Sequence, residues 1–217
     1  MRKLNLAIVF FFMLFSISGC SDLRTGGIGS EDRGAARPVS YDDLIGAEVP
    51  PLCGNPGGEM VDGQLDHMLG GRAHVGIVGS YSGENLETGG HLVIGDMNGD
   101  GIDDGVIDVT CATGTVMWPS TILVYTDRDN FIGQIDRSIN RISRSGSAIK
   151  IDAGRGGVKS MYISDEVLTV YWDGYLDGDP SCCPSVPLVG EVKVRDGVLS
   201  LENVALDRAA LEEENLH

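Results

Sequence analysis

The chain has 217 residues, of which 16 are Lys or Arg and 32 are Asp or Glu, for a net charge of −16. That excess of acid argues against a nucleic-acid binder, whose phosphates call for Lys and Arg, and against purely electrostatic docking on anionic lipid. It suits solubility and divalent cations, and the length allows one domain with a full core plus flexible ends.

In chain order, Arg2 and Lys3 precede a short apolar run over residues 6–15, and Ile17-Ser18-Gly19-Cys20 follows. A membrane span needs about 20 apolar residues, so the run reads as the h-region of a signal peptide over residues 1–19. The aliphatic-small-small-Cys pattern resembles the lipobox of bacterial lipoproteins across the whole first 20 residues. It implies cleavage before Cys20 and a diacylglyceryl, palmitate-type modification of its thiol. Two or three acyl chains anchor stably where one does not. The implied address is extracytoplasmic: the outer face of the cell membrane, or the periplasm or outer-membrane leaflet of a Gram-negative cell. Cleavage also removes Arg2 and Lys3 and takes the net charge to −18. Residues 20–40 then form a lipidated Cys and a Gly-, Ser-, Arg- and Asp-rich tether, with an r.m.s. span of about 25 Å.

Residues 41–205 read as a single β-rich domain. Apolar runs at 91–95 and 105–111 flank an acidic loop. The stretch 121–126 is β-branched and aromatic, and 131–135 follows a turn. Short alternating runs occupy 148–151 and 158–163. In 167–172, Val167, Thr169 and Tyr171 share one face, and Leu168, Val170 and Trp172 the other. Runs at 189–194 and 198–201 flank Asp196-Gly197, a hairpin signal. The 31 glycines mark turns between them. The expected fold is mainly β: an antiparallel sandwich, a barrel or a partial propeller-like sheet. The expected helices are short, at 41–46 and 62–69. Residues 206–217 are an acidic tail that forms a short helix or frays.

The sharpest motif is the 96–104 loop, DMNGDGIDD. Alternate residues turn inward, so Asp96, Asn98 and Asp100 can converge on one ion. Gly101 permits the bend, Ile102 offers its carbonyl, and Asp104 closes the shell. Hard oxygen ligands at this density select calcium. An EF-hand would carry Glu at the twelfth position, where Ile107 stands, and would have helical flanks. The loop with its flanks, GDMNGDGIDDGVIDV, resembles instead the calcium loop of FG-GAP (integrin α-type) repeats, which lies between two strands. That resemblance implies a structural calcium held by Asp96, Asn98, Asp100, Asp104 and the Ile102 carbonyl. The alternative is an acidic β-turn that binds nothing.

Beyond Cys20 there are four cysteines, Cys53, Cys111, Cys182 and Cys183. An even count outside the membrane implies disulfides. One pairing joins Cys53 to Cys111 and Cys182 to Cys183. In the others, each of the adjacent pair reaches a distant partner. The strain of a vicinal bond favours the latter, whereas the Pro-bounded loop DGDPSCCPS could hold an unusual backbone, so the choice stays open.

Three segments, VPPLCGNPGGEMVDGQL, the acidic loop with MWPSTILVY, and DGDPSCCPSVPLVGEVKV, together resemble a group of uncharacterised secreted and lipid-anchored bacterial proteins of actinobacterial type. These combine a GDxxGDGxxDD loop with a CCP motif. The resemblance spans most of residues 45–200 and implies export and β architecture, but no reaction.

Catalytic signatures are incomplete. GSYSG (79–83) has Tyr81 where a nucleophile elbow needs Ser. GRGGVKS (154–160) has Val158 where a P-loop needs Gly. His67, His74, His91 and His217 have no ligand-spaced partner. Trp118, Tyr125, Tyr171 and Trp172 suit core packing, with a carbohydrate-stacking face as the minor alternative. Asp173, Asp177 and Asp179 form a second acidic cluster.

The expected function is therefore a non-catalytic envelope module. It is calcium-stabilised and disulfide-braced, is held to the membrane through its lipid, and meets an unknown protein or envelope ligand. Two alternatives are an envelope-polymer hydrolase using Asp103, Asp108 or Asp173, and a thiol–disulfide protein using Cys182 and Cys183.

Overall fold

A computed structural model describes residues 36–65, 74–79, 90–112, 120–126, 130–135, 137, 142–144, 147–149, 151–152 and 156–214. The signal segment 1–19, Cys20, the tether up to residue 35, Tyr81, His67, His217 and Trp118 lie outside the described residues. A short helix α1 (Tyr41–Ile45) comes first, then β1 (Glu48–Val49), β2 (Gly58–Glu59), β3 (His74–Ile77), β4 (Leu92–Gly95), β5 (Asp104–Ala112), β6 (Thr121–Tyr125) and β7 (Phe131–Ile135). They are followed by β8 (Ile142–Arg144), β9 (Ser147–Ile149), β10 (Ile151–Asp152), β11 (Val158–Ser164), β12 (Val167–Leu176), β13 (Val186–Arg195), β14 (Val198–Leu206) and a terminal helix α2 (Arg208–Glu214).

Two five-stranded antiparallel sheets carry the fold, so the sandwich alternative holds and the barrel does not. In the first sheet the order is β3-β5-β6-β7, and β4 also pairs with β5. β4 and β3 lie end to end along one edge of β5, opposite residues 104–107 and 109–112 respectively. In the second sheet the order is β10-β12-β13-β14, with β11 and β10 sharing one edge of β12. Two ribbons, β1-β2 and β8-β9, stand apart.

The sheets pack face to face. Val106, Ile122 and Val124 of the first meet Leu168, Val170, Trp172 and Leu188 of the second in one core. Trp172 is fully buried. The alternation in β12 places it there, because its period-2 neighbours Leu168 and Val170 share its face. Tyr171 points the other way and stacks on Tyr162, with ring centroids 6.1 Å apart. The core role expected for Tyr171 is thus not the observed one, since a one-residue step along a strand reverses the face.

The first sheet is buried on both faces, which explains why eight consecutive residues of β5 are buried. Its second face carries Ile107, Val109, Cys111, Leu123 and Tyr125. These are covered by an N-terminal layer that includes Val39, Leu44, Val49 and Met60. α1 opens that layer. Ser40 caps it by accepting the Asp43 amide, and the Asp43 carboxylate accepts the Ser40 amide in return. Gly105 lets the layer approach β5: a Cβ there would lie 2.6 Å from Leu44 Cδ2 and 2.7 Å from Val39 Cγ1.

The helix expected at 62–69 does not form over its described part. Val61 and Gln64 make a bridge around Asp62 and Gly63, at φ +50° and +77°, conformations no helix accommodates. Residues 66–69 lie outside the described residues. The tail does form the short helix α2 over residues 208–214. β1, β2, β3 and β8 carried no strand signal strong enough to read, whereas the run expected at 148–151 falls on β9 and the start of β10. The runs at 189–194 and 198–201 extend to ten and nine residues as β13 and β14.

Candidate functional site

The 96–104 loop joins β4 to β5 at one end of the first sheet, between the paired residues Gly95 and Asp104. Its backbone coils around its own side chains. Asp96 Oδ1 accepts the Gly99 amide at 2.7 Å and the Asn98 amide at 3.2 Å, and Oδ2 accepts the Gly101 amide at 2.9 Å. Asn98 Oδ1 accepts the Asp100 amide, and Asp100 Oδ1 accepts the Ile102 amide. Gly99 and Gly101 have φ of +79° and +83°, which is why glycine occupies both positions. The Gly101 amide, followed by those of Gly99 and Asn98, holds the Asp96 carboxyl below its ordinary value against a weaker opposing effect of burial.

Asp104 differs from the other loop acids. It is fully buried, and its Oδ2 accepts the Met97 amide at 2.7 Å. Met97 is itself 1% exposed and anchors the loop in the inter-sheet core. Asp104 Oδ1 is buried with no hydrogen-bond partner among the described residues. Burial raises its pKa to about 6, the Met97 amide opposes the rise, and Asp100 and Asp96 add to it. Asp96 and Asp100 thus lie near enough for their charges to act on the Asp104 carboxyl. Among the described residues, no three His, Cys, Asp or Glu side chains converge as a ready-made metal cage. The oxygens the loop offers include an amide, Asn98 Oδ1, and the Ile102 carbonyl.

The facing sheet supplies a residue that the sequence did not single out. β11 and β12 are joined by a two-residue turn, Asp165-Glu166, with φ of +51° and +63° and with Ser164 opposite Val167. That is the form two-residue hairpins favour. It carries Glu166 against the loop: a Cβ on Gly99 would stand 3.1 Å from both Glu166 carboxylate oxygens. Just upstream, a Cβ on Gly95 would stand 3.1 Å from Ile163 Cγ2. The gap between the runs at 158–163 and 167–172 was readable, but the position of its turn across the sandwich was not.

A second polar group lies deeper, on the same face of β5. Asp108 is fully buried, and its Oδ2 is 3.0 Å from His91 Nδ1. Arg137 is also buried, and donates to the Gly156 carbonyl at 2.9 Å and to the Ser120 carbonyl. Burial pushes the Asp108 pKa up, while His91, Ser120 and the Arg137 charge pull it down. Burial lowers the Arg137 pKa, and Asp108 opposes that change. The Ser120 hydroxyl oxygen accepts the Val158 amide at 3.3 Å and lies 3.4 Å from the Arg137 guanidinium.

The three acids considered for hydrolysis are dispersed. Asp103 is exposed on the loop, Asp108 lies in the core, and Asp173 pairs with Lys159 at 2.8 Å on the second sheet. A cleft of about 920 Å³ is lined by Asp42, Asp43, Glu48, Glu59, Tyr125 and Phe131 among others, and by none of those three acids.

The cysteines pair as Cys53–Cys111 and Cys182–Cys183, the arrangement with a vicinal bond. Cys111 is 2% exposed and sits in the covered face of β5, so the first bond pins the N-terminal layer to the central strand. Cys182 and Cys183 are both exposed, in the 177–185 loop. Asp179 closes that loop by accepting the Leu176 amide at 2.8 Å, the Ser185 amide at 3.1 Å and the Ser185 hydroxyl. These donors, the Leu176 amide foremost, hold the Asp179 pKa below its ordinary value. Asp179 thus acts as a turn-former, whereas Asp177 is exposed.

No helix among the described residues is long and apolar enough to cross a membrane. No protein-family model, no curated protein and no solved structure matches this chain.

Proposed function

We propose that this chain is a lipid-anchored bacterial envelope protein whose β-sandwich is stabilised by calcium in the 96–104 loop. It serves outside the membrane as a non-catalytic binding or structural module. The observation that carries the calcium reading is Asp104 Oδ1, a buried carboxylate oxygen at the base of an acidic loop with no hydrogen-bond partner among the described residues. A buried charge without a partner is costly, and a divalent cation would relieve that cost. Asp96, Asn98, Asp100, Asp104 and the Ile102 carbonyl would hold the ion, and its role there would be to fix the β4–β5 connection. The resemblance of residues 17–20 to a lipobox supports the address, and the two disulfides suit an oxidising compartment.

Calorimetric titration of the demetallated domain tests the calcium reading. The wild type should bind calcium and gain thermal stability, and Asp96→Ala with Asp100→Ala should abolish both. No heat and no thermal shift in the wild type would overturn it. Metabolic labelling with a fatty acid, lost in Cys20→Ala, tests the anchor. An unlabelled wild-type chain would remove it.

A further inference from the structure

The cleft of about 920 Å³ is bounded by α1, the β1–β2 ribbon and the β6–β7 pair, and no residue of the 96–104 loop lines it. Tyr125 and Phe131 form an aromatic wall, with tilted rings whose centroids are 5.5 Å apart. Phe131 is 38% exposed, so a large apolar ring stands open to solvent there. The Tyr125 hydroxyl donates to the Glu48 carbonyl at 3.0 Å, which ties the ribbon to the sheet. Glu48 and Glu59 stand directly opposite each other in that ribbon, both exposed and both lining the cleft. Like charges in that position repel. Asp42 adds a third carboxylate from α1, and none of the three pairs with a basic side chain among the described residues. The remaining acid of the lining, Asp43, already holds a guanidinium, with Arg37 Nη2 at 2.7 Å. The acids do not gather on a point: no three His, Cys, Asp or Glu side chains among the described residues are grouped to hold a metal ion. Carboxylates spread around an aromatic wall suit organic cations instead, since carboxylates bind guanidinium and ammonium groups and ring faces attract them.

We propose that this cleft binds an extended basic segment of a partner protein, whose Lys or Arg side chains meet Asp42, Glu48 and Glu59 and lie along Tyr125 and Phe131. Arg37 on Asp43 is the same recognition made within the chain. A lone ammonium group would fill little of a cleft in the size range of ligand sites. Acids placed on separate elements call for a ligand with several cations along its length, as a basic peptide has. The net charge of −16 steers such a segment towards the protein and repels acidic competitors. A cation between Glu48 and Glu59 also removes their repulsion and firms the ribbon. The proposal rests on the reading of the chain as a binding module, and it needs no calcium in the 96–104 loop.

The test is calorimetric titration of the full chain, with amide hydrogen exchange, using three probes: an end-blocked hexapeptide of alternating Arg and Ala, its Glu–Ala counterpart, and spermidine. The Arg peptide should bind, more weakly as salt rises, and should protect amides within 46–59. The Glu peptide should not bind. Glu48→Gln with Glu59→Gln should weaken the Arg peptide by about 10-fold, and Phe131→Ala by about 5-fold. Asp177→Asn with Asp196→Asn removes the same charge from exposed positions outside the cleft, and should change affinity by less than about 2-fold. The Glu48 and Glu59 variant loses a repulsion, so it should melt at or above the wild-type temperature and its weaker binding is not a loss of fold. Equal losses in the two double variants, spermidine binding as tightly as the peptide, or no binding of the Arg peptide would each overturn the cleft. The calcium loop and the lipid anchor would still stand on their own titration and labelling. A chain that takes up neither calcium nor lipid but binds the Arg peptide in the cleft would overturn the envelope reading and keep the cleft.

Discussion

Asp104 reaches back across the loop to accept the Met97 amide at 2.7 Å, and this one bond occupies only one of its two buried oxygens. The loop is thereby tied to the inter-sheet core through Met97, while the second oxygen stays buried without a hydrogen-bond partner among the described residues. An uncompensated buried carboxylate is a liability in the metal-free protein and an asset once a cation arrives.

Replacing Asp104 should therefore have opposite consequences with and without calcium. In chelator, Asp104→Asn should melt at or above the wild-type temperature. In calcium at about 100 times the dissociation constant, the wild type should gain about 2.7 kcal/mol by mass action. The variant should gain little. Paired thermal melts check this, and equal calcium gains would contradict it.

Asp108 gives the core a pH dependence of definite sign. Burial raises its folded-state pKa above the unfolded value of about 3.9. Its stabilising contribution is then complete below that unfolded value and is lost as pH rises through the folded one. Asp108→Asn does not titrate. Relative to that variant, the wild type should gain stability on acidification from pH 7 towards pH 4. Melts of both proteins in chelator across that range provide the measurement, and a constant difference would show that Asp108 stays ionised throughout.

The two disulfides should separate by reactivity. Cys182–Cys183 is exposed in a loop, so mild reductant should open it first, with little change in melting temperature. Cys53–Cys111 closes a loop with a sequence separation of 58 and is shielded by the N-terminal layer. Its loss in Cys53→Ser should cost about 4 kcal/mol on the chain-entropy estimate. Alkylation with intact mass, followed by denaturant melts, distinguishes the two.

Gly105 tests the packing of the N-terminal layer. An alanine there drives its Cβ into Leu44 and Val39, so the variant should lose about 1–3 kcal/mol. The loss should appear as faster proteolysis around residues 36–50. Unchanged protection of that segment would mean that the layer yields at no cost.

Much of the scaffold was legible because strands declare themselves by alternation. The opposite faces of Leu168, Val170 and Trp172 against Thr169 and Tyr171 follow from spacing alone. β5 was legible as an apolar run, but its two-sided burial depends on a covering layer of short, irregular pieces without periodicity. The loop ligands could be nominated because they are adjacent in sequence. Glu166 could not, since its approach to Gly99 is a product of sheet packing across 67 residues of chain. The helix expected at 62–69 failed where Asp62 and Gly63 adopt left-handed backbone, which local helical propensity does not foresee.

The Cys53–Cys111 bond also sets how the fold bears a pull. Tension on the chain ahead of residue 36 arrives first at Arg37, which pairs with Asp43 at 2.7 Å, and then at Val39, whose amide bonds the Asp103 carbonyl at 2.9 Å. Hydrogen bonds and side-chain packing can peel away as far as residue 52. At Cys53 the load passes through a covalent link into Cys111 on β5, which has neighbours on both edges. The N-terminal layer thus acts as a short, extensible strap with a fixed stop. A tug that unwraps it ends on the most enclosed strand of the first sheet, and the sandwich behind that strand stays shut.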